Sequence, residues 1–580
     1  MNDLFSTAYD EPTSRRLKWL APLLLLLVTA VIYLPGTSFL PLLDRDEPRF
    51  SQATVEMMER GEWFIPYFND DYRFDKPVFI YWLMRGGYTL AGKNEFGARL
   101  PSVAAVFCCA LAIWAMGTRM FSPACGLLAG LAWLTSLQVF IHGRIAVADM
   151  VMVLFVILAH LSLWELLLSG RRYQPWNRFF WLLWLSLGLG FLTKGPIGVL
   201  VPLLSLVGFR VMLWRQPLNW APLQWPSGIV LSLLIIGAWG IPALVNTGGA
   251  FWQVGIGTHV VDRGVEAFNG RIPIPGYYFL TALFSLFPWI VFGWRAYRNG
   301  CSPFDADTAF LFSWLLNPYL IFLFYKTQLP HYVMPGFGAF FLLLFRHGFC
   351  PDFSRGERRW FYAVGGIWAL VILAIGAILL IFPFSGGLAP LNRFGWALLL
   401  MLAAMWLFVV LLFVTTGSGV RRDVFFFGMV AIMGLAVSVG ASALRSVHAT
   451  VAIVEKVGEV SPRTAKLAYG FTEPSLVYYT GAGWQMNPPY HPSLVLAEAG
   501  EEMPTMVIQM REWNLEHYFA NLRAGIDTAT PKRDRSAEFE PLVKMAQSMG
   551  YRVETIHGMN FGSTSWVELD LFIPPALVEP

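Results

Sequence analysis

Between residues 17 and 443, apolar stretches about 20 residues long alternate with short polar loops. That is the length an α-helix needs to cross a hydrocarbon core roughly 30 Å thick. The pattern predicts about thirteen spans, over 17–36, 97–117, 121–141, 150–168, 179–193, 196–213, 227–245, 276–294, 306–325, 332–346, 360–382, 394–416 and 424–443. A further apolar stretch, 78–92, is short, holds Arg85 and a glycine pair, and is rich in aromatic residues. These features fit a helix lying in the interface better than one crossing it. Residues 37–96 therefore read as one long outer loop with short helices of its own. After residue 444 the spans stop and strand-like alternation begins. Strands are expected at 466–471, 505–510, 553–557 and 566–572, and helices at 473–479 and 536–548, which together read as a small α/β domain over 445–580. The expected fold is thus an all-α membrane domain, 1–444, followed by that α/β domain.

Lysine and arginine in short loops set the orientation, because such loops stay cytoplasmic. Every second loop is basic: Arg119; Arg171, Arg172 and Arg178; Arg210 and Arg215; Arg295 and Arg298; Arg346, Arg355, Arg358 and Arg359; Arg421 and Arg422. With the N-terminus inside, all of them fall inside, and an odd number of spans puts the C-terminal domain outside. The leader, with Arg15, Arg16 and Lys18 before a leucine-rich run, resembles a signal peptide. Its run is long and no A-x-A-like site follows, so it reads as an uncleaved first helix.

Composition agrees with this picture. Of 580 residues, 56% are hydrophobic and only 14% charged, and the mean hydropathy is +0.53, so the bilayer must serve as part of the solvent. A net charge of +4 spread over short loops gives no nucleic-acid surface. The five cysteines lie in apolar runs or basic loops and imply no disulfide framework.

The polar residues of the membrane half gather on the outer side. They are Asp44-Arg45-Asp46-Glu47-Pro48-Arg49 and Asp75-Lys76-Pro77 in the first loop, His142, Arg144 and Asp149 in the third, and Lys194 in the fifth. The seventh loop adds His259, Asp262, Arg263, Glu266 and Arg271, and the ninth Lys326, His331 and Tyr332. Ionisable groups at a membrane boundary are costly unless solvated or paired, so their convergence marks a site. Cations there can neutralise a phosphate, and carboxylates can take a proton from an attacking hydroxyl, a mixture suited to a glycosyl phosphate. Simpler roles compete: the acidic run could cap a helix, Lys76 and Lys194 could be snorkelling anchors, Asp149 could complement a helix N-terminus, and His160, inside a span, could be a packed core residue.

The run LLDRDEPRFSQATVEMMERGEWFIPYFNDDYRFDKPVFIYWL, residues 42–83, resembles the signature first loop of bacterial GT-C glycosyltransferases, the group that includes aminoarabinose transferases acting on lipid A and protein O-mannosyltransferases. GRIAVADM (143–150), FLTKGPIGVL (191–200), KTQLPHYVMP (326–335) and EPSLVYYTG (473–481) extend the resemblance along the chain. It implies thirteen membrane helices with interfacial helices in the first outer loop, a multi-pass place in the bacterial inner membrane and a periplasmic C-terminal domain. It implies an undecaprenyl-phosphate-linked sugar donor and a lipid or glycan acceptor, transfer proceeding with inversion. On the matching positions, Asp46 and Asp149 would be the acidic catalytic residues, and Lys76, Lys194 and Arg49 would hold the donor phosphate. Glu47, Tyr332, His331 and Arg144 would complete the pocket. No cofactor is required by this reading; Asp75 and His259 stand where a relative places a structural metal ion. Pro48, Phe50 and Val78 depart from the aminoarabinose-transferase pattern, which leaves sugar and acceptor open between lipid A, another envelope glycolipid and a protein hydroxyl. A transporter of polyprenyl-linked sugars is the competing class, and would need paired broken helices or midplane charges.

Overall fold

The computed structural model describes residues 11–170, 174–251, 253–255, 274–301, 304–323, 325, 327–348, 353–381, scattered positions between 396 and 434, 444–457, 465–498, 503–527 and 530–575. The expected spans over 394–416 and 424–443 fall largely outside the described residues, as do Lys326 and the charged seventh loop with His259. Among the described residues, five helices are long and apolar enough to cross a bilayer, and a bent pair makes a sixth. Shorter apolar helices cover Trp19–Tyr33, Pro123–Leu134, Ile197–Met212 and Pro330–Phe345.

The membrane part is built from α1 (Glu11–Tyr33), α2 (Asp46–Glu59), α3 (Phe79–Ala91), α4 (Glu95–Met120), α5 (Pro123–Leu134), α6 (Leu137–His142), α7 (Asp149–Leu167), α8 (Arg178–Lys194), α9 (Ile197–Met212) and α10 (Trp225–Asn246). It continues with α11 (Tyr277–Ser285), α12 (Gly293–Cys301), α13 (Ala306–Leu323), α14 (Phe337–Phe345) and α15 (Arg355–Ile381). The stretch at 78–92 forms α3, which has 13 residues, about 20 Å of rise, and packs beside α2 and α4. The expected span at 276–294 takes a different form. Its chain breaks after Ser285 and turns by 109°, because Pro288 has no N–H to continue the helical ladder.

Polar residues sit in two layers. Asp149 opens α7, and Glu165 near its other end pairs with Arg119 at 2.9 Å. Sixteen residues of helix put about 24 Å between those two acids. On Glu165's layer, Arg346 pairs with Asp305 at 2.5 Å, and Trp164 donates to Asp307 at 2.7 Å. Among the described residues, the loops holding Arg119, Asp305 and Arg346 thus lie at one end and those holding Asp149, Lys194 and His331 at the other, with an apolar slab between. Within that slab His160 is a packed residue, its ring stacked on Trp314 at 4.3 Å and its Nδ1 2.8 Å from the Val156 carbonyl.

The first loop is locked down by one buried ion pair. Glu47 Oε1 accepts from Arg99 Nε at 2.8 Å and from the Ala146 backbone at 2.7 Å, while Oε2 accepts from Arg99 Nη2 and the Leu43 backbone, each at 2.9 Å. The Arg99 side chain is fully buried and also donates to the carbonyls of Thr37, Leu40 and Pro41. A hairpin, absent from the sequence reading, follows α2: β1 (Tyr67–Phe68) pairs with β2 (Asp71–Tyr72) through Asn69 and Asp70, both at positive φ. Asn and Asp tolerate that conformation in a two-residue turn.

The C-terminal part holds α16 (Ala449–Val457), α17 (Pro474–Thr480), α18 (Pro492–Glu498), α19 (Leu515–Ala524) and α20 (Ser536–Ser548) around one sheet. Its strands are β3 (Lys466–Tyr469), β4 (Trp484–Met486), β5 (Thr505–Trp513), β6 (Arg533–Asp534), β7 (Arg552–Asn560) and β8 (Ser565–Ile573), ordered β4-β3-β5-β8-β7 with β6 beside β5. β3 runs parallel to β4 and β5, and β8 antiparallel to β5 and β7. Successive side chains point to opposite faces: Val507 joins a core with Leu476 and Leu569, whereas Met506 and Ile508 join another with Phe539 and Leu542. Strands form at all four expected places; β4, β6, α16, α18 and α19, too short or too irregular in pattern, were not expected.

Candidate active site

Three chain breaks bring the site together. α8 ends at Lys194 because Gly195 adopts φ +76°, closed to most side chains, and Pro196 starts the next helix. Lys194 therefore occupies the last turn of α8 and Asp149 the first turn of α7, each where its charge suits the helix dipole. Asp75 and Lys76 form a bend between β2 and α3, and Pro77 follows them just before that helix. The 3-10 turn Pro330–Gly336 then presents His331 and Tyr332 from the other side.

These segments enclose a cavity of about 230 Å³ lined by Asp75, Lys76, Asp149, Lys194, His331 and Tyr332. The rest of its lining is mostly apolar and aromatic, with Met152, Leu200, Trp239, Phe251 and Phe322. Trp239 meets Phe251 edge-on at 4.9 Å and donates to the Phe64 carbonyl at 2.8 Å, which ties α10 to the first loop. Lys194 Nζ bonds Asp149 Oδ1, and His331 Nε2 lies 3.3 Å from the same oxygen. Lys194 Nζ also lies 5.5 Å from the centre of the Tyr332 ring. Behind them the His142 and His331 rings sit 4.6 Å apart, and the Gln138 amide is 2.9 Å from His142 Nδ1. A cavity lined by two lysines and by a majority of apolar and aromatic residues fits an amphipathic ligand with an anionic head.

Asp46 and Arg49 stand beside this cavity rather than in its lining. Asp46 opens α2 and is exposed. It acts on both Arg49 and Arg73, as does Asp75. Arg73, which the sequence reading passed over, is the hinge: Nη1 bonds Asp75 Oδ2 at 2.8 Å, Nε bonds the Tyr81 hydroxyl at 3.1 Å, and its guanidinium lies 5.2 Å from the Phe50 ring centre. Burial opposes the charge on Arg73, yet Tyr81, Asp75 and Asp46 together raise its pKa above the ordinary value. Arg49 is lowered, by burial first and then by Arg73. One electrostatic cluster thus joins the acidic start of α2 to Asp75-Lys76.

Two expected pocket residues have other duties. Glu47, in the first turn of α2, is buried in its pair with Arg99, and the Arg144 guanidinium donates to the carbonyls of Ile32 and Pro35, at 2.7 and 2.6 Å. Neither lines the cavity. Arg99 was a legible signal, since a lone arginine inside an apolar span must find a partner. As for a metal, Asp75 is paired with Arg73, and no group of three or more His, Cys, Asp or Glu able to hold an ion occurs among the described residues.

Comparison with known proteins follows the same lines. Residues 75–240, which include Lys76, Asp149 and Lys194, match the family model of dolichyl-phosphate-mannose-protein mannosyltransferases. In fold the chain is similar to the crystal structure of ArnT from Cupriavidus metallidurans bound to undecaprenyl phosphate, with a TM-score of 0.70, 16% identity, and 97% of this chain and 99% of that one covered. The chain is therefore a multi-pass membrane protein resembling GT-C glycosyltransferases. It is also similar to the undecaprenyl phosphate-alpha-4-amino-4-deoxy-L-arabinose arabinosyl transferases of Erwinia tasmaniensis, 28% identical over 369 residues (63% of this chain, 66% of that protein), and Yersinia pestis, 28% over 373 residues (61% and 65%). The match spans just under two thirds of these relatives' own length.

Proposed function

We infer that this chain is an inverting glycosyltransferase of the bacterial inner membrane that takes a sugar from undecaprenyl phosphate and gives it to lipid A or another envelope glycolipid. The observation behind this reading is the meeting of Lys76 and Lys194, more than a hundred residues apart in sequence, in one cavity with apolar walls. The polyprenyl chain lies along Met152, Leu200 and Phe322, and its phosphate sits between the two lysines. Arg49, Arg73 and Asp75 order the approach from the first loop. The two relatives, named as acting on an undecaprenyl-phosphate-linked aminopentose, support this choice of donor.

In the reaction, an acceptor oxygen attacks the anomeric carbon from the face opposite the phosphate, and the bond between that carbon and the phosphate oxygen breaks. Undecaprenyl phosphate leaves with one more negative charge, which Lys76 and Lys194 neutralise in a site shielded from water. If the acceptor is an alcohol, Asp46 takes its proton; if it is a phosphate, already ionised, Asp46 orients it. Asp149 holds Lys194 in place and is itself held by His331. The active face and the C-terminal domain are periplasmic in this reading, with the N-terminus in the cytoplasm.

A protein hydroxyl is the second acceptor considered, because the matching family model is one of protein mannosyltransferases. That match covers the donor-facing segments, so it bears on the donor more than on the acceptor. Transport is disfavoured: the bent pair α11 and α12 contributes nothing to the cavity lining. The deciding experiment incubates the purified protein in liposomes with undecaprenyl phosphate-linked aminoarabinose and either envelope glycolipids that include lipid A or a serine/threonine peptide. Mass gain on lipid A or another of these glycolipids is expected. Gain on the peptide alone would move the acceptor, and gain on neither would refute the assignment.

A further inference from the structure

The EPSLVYYTG segment is unexplained by the transfer chemistry, yet it grips the first loop next to Asp46. Asp44 lies against the start of α17: its Oδ1 accepts from the Ser475 backbone at 2.9 Å and its Oδ2 from the Ser475 hydroxyl at 2.7 Å. Arg45 Nε pairs with Glu473 Oε2 at 3.3 Å. Glu473 in turn is steadied by Asn560 of β7, whose Nδ2 donates to Oε1 at 3.0 Å, and the Ser475 hydroxyl is 2.6 Å from that of Thr450 on α16. Asp44 and Arg45, the two residues immediately before Asp46, are thus fixed by the start of α17 in the C-terminal part.

The grip extends to both sides of α2. On one side the Leu42 backbone donates to the Tyr479 hydroxyl at 2.9 Å, and that hydroxyl donates to Glu95 at 2.9 Å. On the other, Asn69 at the hairpin tip donates to the Trp484 carbonyl at 2.7 Å and accepts from the backbones of Gly483 and Trp484 at 2.9 and 3.0 Å. Phe68 packs on the C-terminal core. Asp46 itself is exposed, and its own side chain has less to orient it than the residues that precede it.

We propose that Glu473 and Ser475 are positioning residues for transfer: by holding Asp44 and Arg45 they fix the first turn of α2, and so the direction in which Asp46 presents its carboxylate to the acceptor. The purpose of the C-terminal domain is then to clamp the catalytic loop. This rests on the reading of Asp46 given above. Misplacing a reacting group by about 1 Å costs on the order of 100-fold in rate, whereas neither Glu473 nor Ser475 is among the residues that line the donor pocket.

The test uses the full-length protein in liposomes with the variants Ser475→Ala and Glu473→Gln, which leave every cavity residue in place. Two readouts are taken: transfer kinetics from undecaprenyl phosphate-linked aminoarabinose to lipid A, and amide exchange of the peptide spanning residues 42–52. The expected result is faster exchange in that peptide, a fall in kcat of roughly ten-fold or more, and an unchanged KM for the donor. Unchanged exchange, or a rise in donor KM without loss of kcat, would overturn the proposal. Faster exchange in a chain whose wild type transfers no sugar would instead leave the clamp standing and refute the enzymatic reading beneath it.

Discussion

At the scale of single residues, the same chemical type does opposite work depending on burial. Asp46 is exposed and opens a helix, while Glu47 beside it is buried in an ion pair with Arg99. Asp46→Asn should lower transfer by roughly 10²- to 10⁴-fold with normal folding and undecaprenyl phosphate binding, checked by turnover and lipid pull-down. Arg99→Ala should act on stability instead, since removing one partner of a buried pair costs about 3–5 kcal/mol; a depressed melting temperature checks it. Lys194 does both jobs. Lys194→Ala strands the Asp149 carboxylate and should lower the melting temperature, and adding Asp149→Asn should restore it without restoring donor binding. Asp44 introduces a pH dependence. Burial, then the Glu473 carboxylate, push its carboxyl up to about 7, against the lowering by Ser475 and Arg49. Because this lies above the ordinary value of 3.8, the folded chain holds the proton more tightly. The group's contribution is complete below about pH 4 and lost as pH rises through about 7. The melting temperature should therefore fall between about pH 4 and about pH 7, and Asp44→Asn should flatten that fall.

At the scale of elements, long spans with strong apolar runs were legible, and so were strands with clear alternation. The breaks were less so. Pro288 makes two helices of an expected span, and nothing in a hydropathy pattern distinguishes a proline that a helix tolerates, such as Pro101 in α4, from one that breaks it. The site was partly legible because its residues sit at element ends: Lys76 before Pro77, Asp149 at the start of α7, Lys194 before Gly195-Pro196. Arg73 was not, since an arginine in a polar loop gives no sign of being the buried contact between Asp75 and Tyr81. Glu47 and Arg144, expected in the pocket, lie outside the cavity lining for the converse reason. In sequence they look like active-site charges, and only their bonds to Arg99 and to the carbonyls of Ile32 and Pro35 reveal anchoring.

At the scale of the whole molecule, the account requires one boundary to hold the first, third, fifth and ninth loops together, and the ion pairs of the opposite ends to lie about 24 Å away across the apolar slab. In a cysteine-free background, cysteines placed at Glu59 and Asp527 should react with an impermeant maleimide from the periplasmic side, and one at Trp176 should not. Labelling of Glu59 and Asp527 from opposite sides would separate the catalytic loop from its clamp. The most direct test of the central claim compares binding of undecaprenyl phosphate with that of undecaprenol, by native mass spectrometry, for the wild type and for Lys76→Ala/Lys194→Ala. Wild type should prefer the phosphate, by roughly ten-fold or more for each charge-assisted contact, and the double variant should bind both lipids alike. Equal affinity of the wild type for the two lipids, or a phosphate preference that survives the double substitution, would contradict it.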